Sequence, residues 1–218
     1  MSTNISLINH LFLQKESMKI VICGPDNILA EAGVMMKSSF VRVEDISLFS
    51  EHGDADAFIN FFPESGFVNY PANKLVLINN VLSIIPYNHS KNIIRFNGWP
   101  EFLKRQVWEV TGVIDGDTKC IEKALEKKFN FVTDAPGFIA PRVIAMIVNE
   151  AYLALEDKVS TPNEIDVAMK LGTGYPFGPF EWAEKIGIAN IAKLLNTLSV
   201  TDKSYLPSKL LIQASQTQ

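Results

Sequence analysis

The pattern of apolar residues changes near residue 134, and this change constrains the fold more than any other feature. Before it lie seven short apolar runs, each four to six residues long, rich in β-branched and aromatic residues and bounded by polar or turn residues. Such runs predict buried strands, and runs that are apolar throughout are typical of a parallel sheet covered on both faces. The seven predicted strands are Lys19–Cys23, Phe40–Val43, Ala57–Phe62, Lys74–Ile78, Asn92–Asn97, Val107–Thr111 and Phe129–Thr133.

Helical periodicity dominates the second half of the chain. A capping box at Thr161-Pro-Asn-Glu predicts one helix start, with proline at the first helical position. We therefore predict an α/β fold, in which a mostly parallel sheet over residues 18–133 precedes an all-helical domain over residues 134–218. Residues 1–17 are interpreted as an N-terminal extension. The predicted helices cover 28–37, 119–128 with Asp117 or Thr118 as cap, 138–156, 162–171, 179–187 and 189–198, and a short helix is expected after residue 205.

Charge and composition exclude several classes of protein. The chain has 218 residues, a net charge of -4 and no long basic run, so we expect no nucleic-acid partner. No apolar run is long enough to span a bilayer, no signal peptide is recognisable, and no metal-ligand spacing occurs. Cys23 and Cys120 both fall in apolar segments, which favours buried thiols in a reducing compartment. We therefore expect a cytoplasmic protein without membrane or metal.

The loop after the first predicted strand is the candidate cofactor site. A dinucleotide-binding loop needs glycines for its tight turn and for close approach of the pyrophosphate, and here Gly24 alone is present. Pro25 removes one backbone donor from the loop. The acidic residue expected about 20 positions later is Glu44 or Asp45. The alternative interpretation is a structural turn that binds no nucleotide, and we expect no cofactor unless an NAD-dependent activity survives.

Two side chains stand out as candidates for chemistry. Glu109 lies inside an apolar strand, where a carboxylate is either exposed at an edge or buried with a partner that sets its pKa. His89 is a candidate general base, although we favour the interpretation that it is a solvated loop histidine. Trp99 and Trp108 are interpreted as core residues in preference to pocket residues.

Residues 133–212 resemble the C-terminal domain of 3-hydroxyacyl-CoA dehydrogenases. The resemblance rests on three motifs: Asp134-Ala-Pro-Gly-Phe-Ile-Ala-Pro-Arg, then Asn149-Glu-Ala, and the long stretch from Thr161 through Gly-Thr-Gly-Tyr-Pro-Phe-Gly-Pro-Phe-Glu181. The first half resembles the family more weakly. The resemblance implies NAD-dependent oxidation of a 3-hydroxyacyl-CoA in fatty-acid metabolism, a homodimer built through the helical domain, and an acyl-CoA-like ligand. It also implies that the sheet is a reduced, Rossmann-like one and that the helical domain is a dimerisation domain.

Several catalytic positions of the family hold different residues in this sequence. The resemblance implies that Glu109 is the glutamate that orients the catalytic histidine and that Asn97 is the asparagine of the strand motif. It places Ile94 at the position of the histidine and Pro141 at that of the substrate asparagine. The serine falls on Val81 or Asn80. An isoleucine cannot accept a proton, and general base catalysis contributes about 10²–10⁴-fold to rate.

Three hypotheses follow from this conflict. The first is a degenerate, non-catalytic or much altered family member that holds an acyl-CoA-like ligand or has a structural role, with Glu109 and Asn97 as remnants of the site. The second is an active NAD-dependent dehydrogenase with a relocated base, for which His89 is the candidate. The third is a structural partner of a fatty-acid oxidation enzyme. An orphaned Glu109 is expected either to have a raised pKa or to find a new donor such as Arg95, Lys104, Arg105 or Asn97.

Overall fold

A computed structural model describes residues 18–35, 37–67, 70–71, 73–85, 92–112, 114 and 116–217. These residues form a seven-stranded sheet in the order β2-β1-β3-β4-β5-β6-β7. Every neighbouring pair is parallel except β5 and β6, which run antiparallel. The mostly parallel sheet is thus confirmed. Its strands are β1 Ile20–Cys23, β2 Phe40–Arg42, β3 Ala57–Asn60, β4 Leu75–Asn79, β5 Ile93–Phe96, β6 Val107–Gly112 and β7 Lys128–Phe131.

The two faces of the sheet are covered differently. Helices α1 (Asp26–Ala32) and α2 (Gly116–Leu125) pack on one face, where Leu29 and Ile121 join the main core. The core of the opposite face contains Phe49, from a 3₁₀ helix at Ile46–Glu51, together with loop residues. Because both faces are covered, the central strands are buried throughout, which explains their unbroken apolar sequence.

The helical half follows β7 through a turn-rich link. Its helices are α3 Ala140–Glu156, α4 Pro162–Thr173, α5 Pro179–Ile186, α6 Ile188–Ser199 and α7 Lys209–Gln216. The capping box predicted at α4 is present, because Thr161 accepts from the Glu164 N–H while the Glu164 carboxylate accepts from the Thr161 N–H. A second apolar core lies between these helices and also takes in Val81, Trp99 and Phe102 from the sheet half. The helical half is therefore packed against the loops at one end of the sheet.

Three sequence predictions need correction at the level of single elements. The first helix ends at Ala32, since Gly33 terminates it in the left-handed conformation with φ 73°. Helix α2 begins at Gly116, so neither Asp117 nor Thr118 caps it from outside. Cys120 is exposed, because the buried stripe of α2 runs through Ile121 and Leu125. Cys23 is buried as expected.

Candidate functional site

Glu109 lies on β6 where the sheet meets the start of α3. Both of its carboxylate oxygens accept a hydrogen bond from the Ala140 N–H, at 3.0 and 3.1 Å. Oε2 also accepts from Asn97 Nδ2 at 3.3 Å. Helix α3 has no side-chain cap of its own, since Ile139 occupies the N-cap position and the first turn contains no acidic residue. Glu109 therefore supplies from the sheet the acceptor that the helix sequence lacks.

The environment of Glu109 favours its neutral form. Burial raises the pKa of Glu109, while the hydrogen bonds from Ala140 and Asn97 and the charge of Arg105 oppose the rise. A cavity of about 200 Å³ adjoins the carboxylate and is lined by Asn97, Phe102, Arg105, Val107, Trp108, Glu109, Asn130 and Ala140. Small-molecule sites usually measure about 300–1,000 Å³, so this one suits a small group and not a whole coenzyme.

Asn97 holds the position opposite Glu109. Its backbone N–H donates to the Glu109 carbonyl oxygen at 3.0 Å, so the two residues face each other across the antiparallel pair. Ile94 is fully buried in the core of the sheet. The expectation that Ile94 stands at the position of the histidine is therefore corrected, because the side chain that contacts Glu109 is that of Asn97. Of the four donors expected for Glu109, Asn97 is the one that bonds it in the described part of the chain.

Arg95 forms a buried ionic cluster that sequence reasoning missed. Its guanidinium is fully buried and pairs with Asp134, with Nη2 2.8 Å from the nearer carboxylate oxygen. Nη1 donates to the carbonyl oxygen of Asn80 at 2.9 Å, and Nη2 donates to that of Ala135 at 2.8 Å. The cluster ties β5 to the link between the two halves. An arginine inside an otherwise apolar strand was the signal, since a buried charge requires a partner.

Glu64 binds the loop where the resemblance places the substrate serine. Its carboxylate accepts from the N–H groups of Val81 and Leu82 at 2.9 and 3.0 Å. Burial raises the pKa of Glu64, and these two hydrogen bonds oppose the rise. The Asn80 amide is buried and bonds within the same region, accepting from Ser83 N–H and donating to the Ser65 carbonyl oxygen. The polar groups of the loop at residues 80–82 are thus already hydrogen-bonded within the chain.

The glycine loop does not fit a dinucleotide. A Cβ added at Gly24 would lie 2.5 Å from Cβ of Phe61, so the glycine serves packing against β3. Pro25 is the N-cap of α1 and lacks an N–H. Asp26 places a carboxylate in the first turn, where a pyrophosphate would be repelled, and it pairs with Arg42. Glu44 is exposed after β2.

The remaining candidates add little to the site. His89 lies outside the described residues. Pro141 is buried in the first turn of α3 and directly follows Ala140, whose N–H donates to Glu109. Within the described residues, no cluster of histidine, cysteine and carboxylate side chains has the arrangement of a metal site. No helix in that part of the chain is long and apolar enough to span a membrane.

The fold and the site define a Rossmann-like sheet with a helical C-terminal domain. Residues 137–217 match the family described as 3-hydroxyacyl-CoA dehydrogenase, C-terminal domain. This match confirms, for the second half of the chain, the resemblance to that domain seen in its sequence motifs.

Curated relatives match a limited part of the chain. It is 40% identical over 84 residues to 3-hydroxyadipyl-CoA dehydrogenase of Escherichia coli, covering 38% of this chain and 18% of the relative. It is 33% identical over 97 residues to a probable 3-hydroxybutyryl-CoA dehydrogenase of Bacillus subtilis, covering 44% of this chain and 34% of the relative. The matched segment thus spans about a third or less of these two relatives.

Solved structures support the fold over nearly the whole chain. (S)-3-hydroxybutyryl-CoA dehydrogenase from Ralstonia eutropha superposes with a TM-score of 0.66 at 20% identity, covering 92% of this chain and 94% of that one. FadB2 of M. tuberculosis superposes with a TM-score of 0.68 at 13% identity, and the match covers 93% of this chain and 95% of that one. At these identities the likeness establishes the fold alone.

Proposed function

We propose that this chain is a degenerate member of the family that does not oxidise 3-hydroxyacyl-CoA with NAD, and that it retains an acyl-CoA-like ligand or a structural role. The observation that carries the proposal is the contact between Asn97 and Glu109. The resemblance assigns to the partner of that glutamate the removal of the hydroxyl proton. A carboxamide cannot accept that proton at neutral pH, so the base is missing where the geometry would need it.

The loop at Gly24 supports the same proposal for the cofactor. We expect NAD to bind with a dissociation constant weaker than about 100 μM, which corresponds to about -5.5 kcal/mol. The reasons are the missing N–H of Pro25 and the carboxylate of Asp26 in the first turn of a seven-residue helix. Calorimetric titration with NAD measures this directly. Tighter binding would show that the loop accepts a pyrophosphate by some other arrangement.

Turnover of 3-hydroxybutyryl-CoA with NAD, followed by NADH absorbance, tests the catalytic part. We expect no turnover by the wild-type protein. Wild-type turnover that disappears in His89→Ala would favour the second candidate, an active enzyme with a relocated base. The cavity that joins Asn97 and Glu109 is the observation that keeps this candidate open.

Asn97→His separates a missing base from a missing cofactor site. The substitution places an imidazole opposite Glu109, and we still expect no turnover because the glycine loop is unchanged. Asn97→Gln is the matched control of similar size without a titratable group. A gain of turnover in Asn97→His alone would locate the defect at residue 97 and refute the proposal that the loop rejects NAD.

We also propose a homodimer through the helical half. Helix α4 has Asp166 as its one buried residue, whereas Val167 and Leu171 are exposed, the latter at 83%. A helix so poorly covered gains little from packing within its own chain, and a second copy would cover the apolar side chains. Sedimentation of the wild type is expected to give a dimer, and Leu171→Glu a monomer, with Val200→Glu outside α4 as control. A wild-type monomer of 24.3 kDa at micromolar concentration would refute the dimer.

The compartment is proposed to be the cytoplasm. The buried Cys23 thiol donates to Oδ1 of Asn60 over 3.4 Å, and burial raises the pKa of Cys23 to about 12. A free thiol of this kind is compatible with a reducing environment. Imaging of the full-length protein with a C-terminal fluorescent tag tests the assignment, and signal confined to an organelle would contradict it.

A further inference from the structure

A second cavity shares a wall with the cavity at Glu109. It measures about 270 Å³ and is lined by Phe102, Arg105, Ala140, Val143, Ile144, Tyr175, Pro176 and Trp182. The shared wall consists of Phe102, Arg105 and Ala140. We call this second cavity the Arg105 groove. Apart from Arg105 its lining is mainly aliphatic and aromatic, so it favours an apolar ligand body.

Arg105 forms no salt bridge within the described part of the chain, although its charge acts on Glu109. Its guanidinium lies over the ring of Phe102, with Cζ 4.2 Å from the ring centroid. Two neighbouring cations, by contrast, form salt bridges: Lys104 pairs with Glu101 and Arg95 pairs with Asp134. Arg105 is exposed, so it retains hydration and its donors remain available to a ligand.

Two lysines lie near Arg105 on the neighbouring strand and its preceding turn. The Lys127 ammonium donates to the Arg105 carbonyl oxygen at 3.0 Å. Lys128 is the strand neighbour of Val107, which lines the adjoining cavity. The opposing carboxylate is Glu109, whose oxygens already accept from two donors and whose pKa burial raises. The guanidinium and the two lysines therefore favour an anion in the groove, and Glu109 is the charge that opposes it.

Two stacked aromatic rings form part of the apolar wall of the groove. Trp182 stacks on Phe102 with ring centroids 5.8 Å apart and an interplanar angle of 27°. Trp182 is 2% exposed, and its Nε1–H has no hydrogen-bond partner among the described residues. Val143 is 49% exposed and lines the same groove. A flat aromatic wall facing aliphatic side chains buries an alkyl chain without rearrangement.

We propose that the Arg105 groove binds a short-chain carboxylic acid, with the carboxylate on the Arg105 guanidinium and the alkyl chain against Trp182 and Val143. The guanidinium fork matches a carboxylate with two parallel hydrogen bonds. The cavity volume lies just below the usual range for drug-sized ligands, so the ligand is a small acid and not a coenzyme conjugate. This site does not depend on the presence or absence of dehydrogenase activity.

Calorimetric titration of the full-length protein with hexanoate tests the proposal. Hexanamide is the matched neutral probe, and hexanoyl-CoA is the probe for a thioester ligand. We expect saturable binding of hexanoate and at least about tenfold weaker binding of hexanamide, because a hydrogen bond to a charged group contributes about 1.5–3 kcal/mol. Arg105→Gln should remove the preference for the acid, and Arg42→Gln, an exposed arginine on β2, should leave it unchanged.

Val143→Trp tests the apolar half independently. The exposed position tolerates a larger side chain without unfolding, and the indole would fill the groove, so binding of both hexanoate and hexanamide should be lost. The proposal is overturned if neither probe binds the wild type, if acid and amide bind equally, or if Arg105→Gln has no effect. It is also overturned if hexanoyl-CoA binds in an Arg105-dependent way while hexanoate does not, since the ligand is then the thioester.

Discussion

Glu109→Ala should destabilise the fold much more than Glu109→Gln if the role of Glu109 is to accept hydrogen bonds and its charge is not required. Alanine leaves the Ala140 N–H at the start of α3 and the buried Asn97 amide without their acceptor. An unsatisfied buried donor costs about 1–3 kcal/mol, so Glu109→Ala is expected to lower the free energy of unfolding by about 2–4 kcal/mol. The total cost stays below the sum of two fully buried donors, because water can reach the half-exposed start of α3.

Glutamine keeps most of this arrangement and removes the charge. Its carbonyl oxygen can accept from the Ala140 N–H, while its NH₂ meets the NH₂ of Asn97, so one hydrogen bond worth about 1 kcal/mol is lost. The relief from burying a charge offsets this loss, since each unit by which the pKa of Glu109 is raised corresponds to about 1.4 kcal/mol. We expect Glu109→Gln to lie within about 1 kcal/mol of the wild type at pH 7.

The pH dependence gives an independent check on the same reasoning. The folded pKa of Glu109 lies above its ordinary value of 4.5. Folded protein therefore binds the proton more tightly than unfolded protein, and the contribution of Glu109 to stability is full below 4.5 and lost as the pH rises through the folded pKa. The wild type should therefore gain stability relative to Glu109→Gln as the pH falls from 7 toward 4.5.

Urea denaturation followed by tryptophan fluorescence measures all three proteins across this range. The reasoning is refuted if glutamine is as destabilising as alanine, because the charge itself would then be required. A wild-type advantage that shrinks on acidification would refute the assignment of the raised pKa.

Three further substitutions test other contacts by the same assay. Arg95→Met breaks a buried ion pair and should lower the free energy of unfolding by about 3–5 kcal/mol, whereas a loss below 1 kcal/mol would show that the cluster is solvated. Thr161→Ala should cost about 1 kcal/mol by removing the capping box of α4, with Thr161→Ser close to wild type. Gly98→Ala should lower the free energy of unfolding by at least about 1 kcal/mol, since the added Cβ would lie 2.3 Å from the Asn79 carboxamide. Gly66→Ala is the control, because a Cβ at Gly66 would have no neighbour within 4 Å.

The strands were predictable because their signal is local. Each apolar run of the sequence overlaps a strand of the sheet, and most ends differ by a residue or two. A strand that is buried on both faces needs apolar residues at every position, so its sequence is an unbroken apolar run. The clearest case is β4, which is buried at all five residues. The antiparallel pairing of β5 and β6 was not predicted. The short link over residues 97–106 was the signal, because a parallel crossover needs a dozen or more residues.

The site was less predictable than the strands, because it depends on how the residues of β5 and β6 are aligned across their pairing. Asn97 and Glu109 meet through the antiparallel pairing, and a loop of different length shifts any comparison of motifs by several positions. That shift is why the motif comparison pointed to Ile94. The charged partners of Arg95 lie in other segments of the chain, so the sequence shows that a partner is needed without showing which residue it is.

The presence of Glu109 is not by itself evidence for catalysis. Helix α3 begins with Ile139, which cannot cap, and contains Pro141, which has no N–H to satisfy. The Glu109 side chain from β6 supplies the acceptor that the Ala140 N–H needs at this helix start. This role requires no histidine, and Asn97 supports it by donating to the same carboxylate. A glutamate that joins the sheet to the helical half is therefore physically sufficient to explain the arrangement, and dehydrogenase activity has to be established by turnover and not by the presence of this residue.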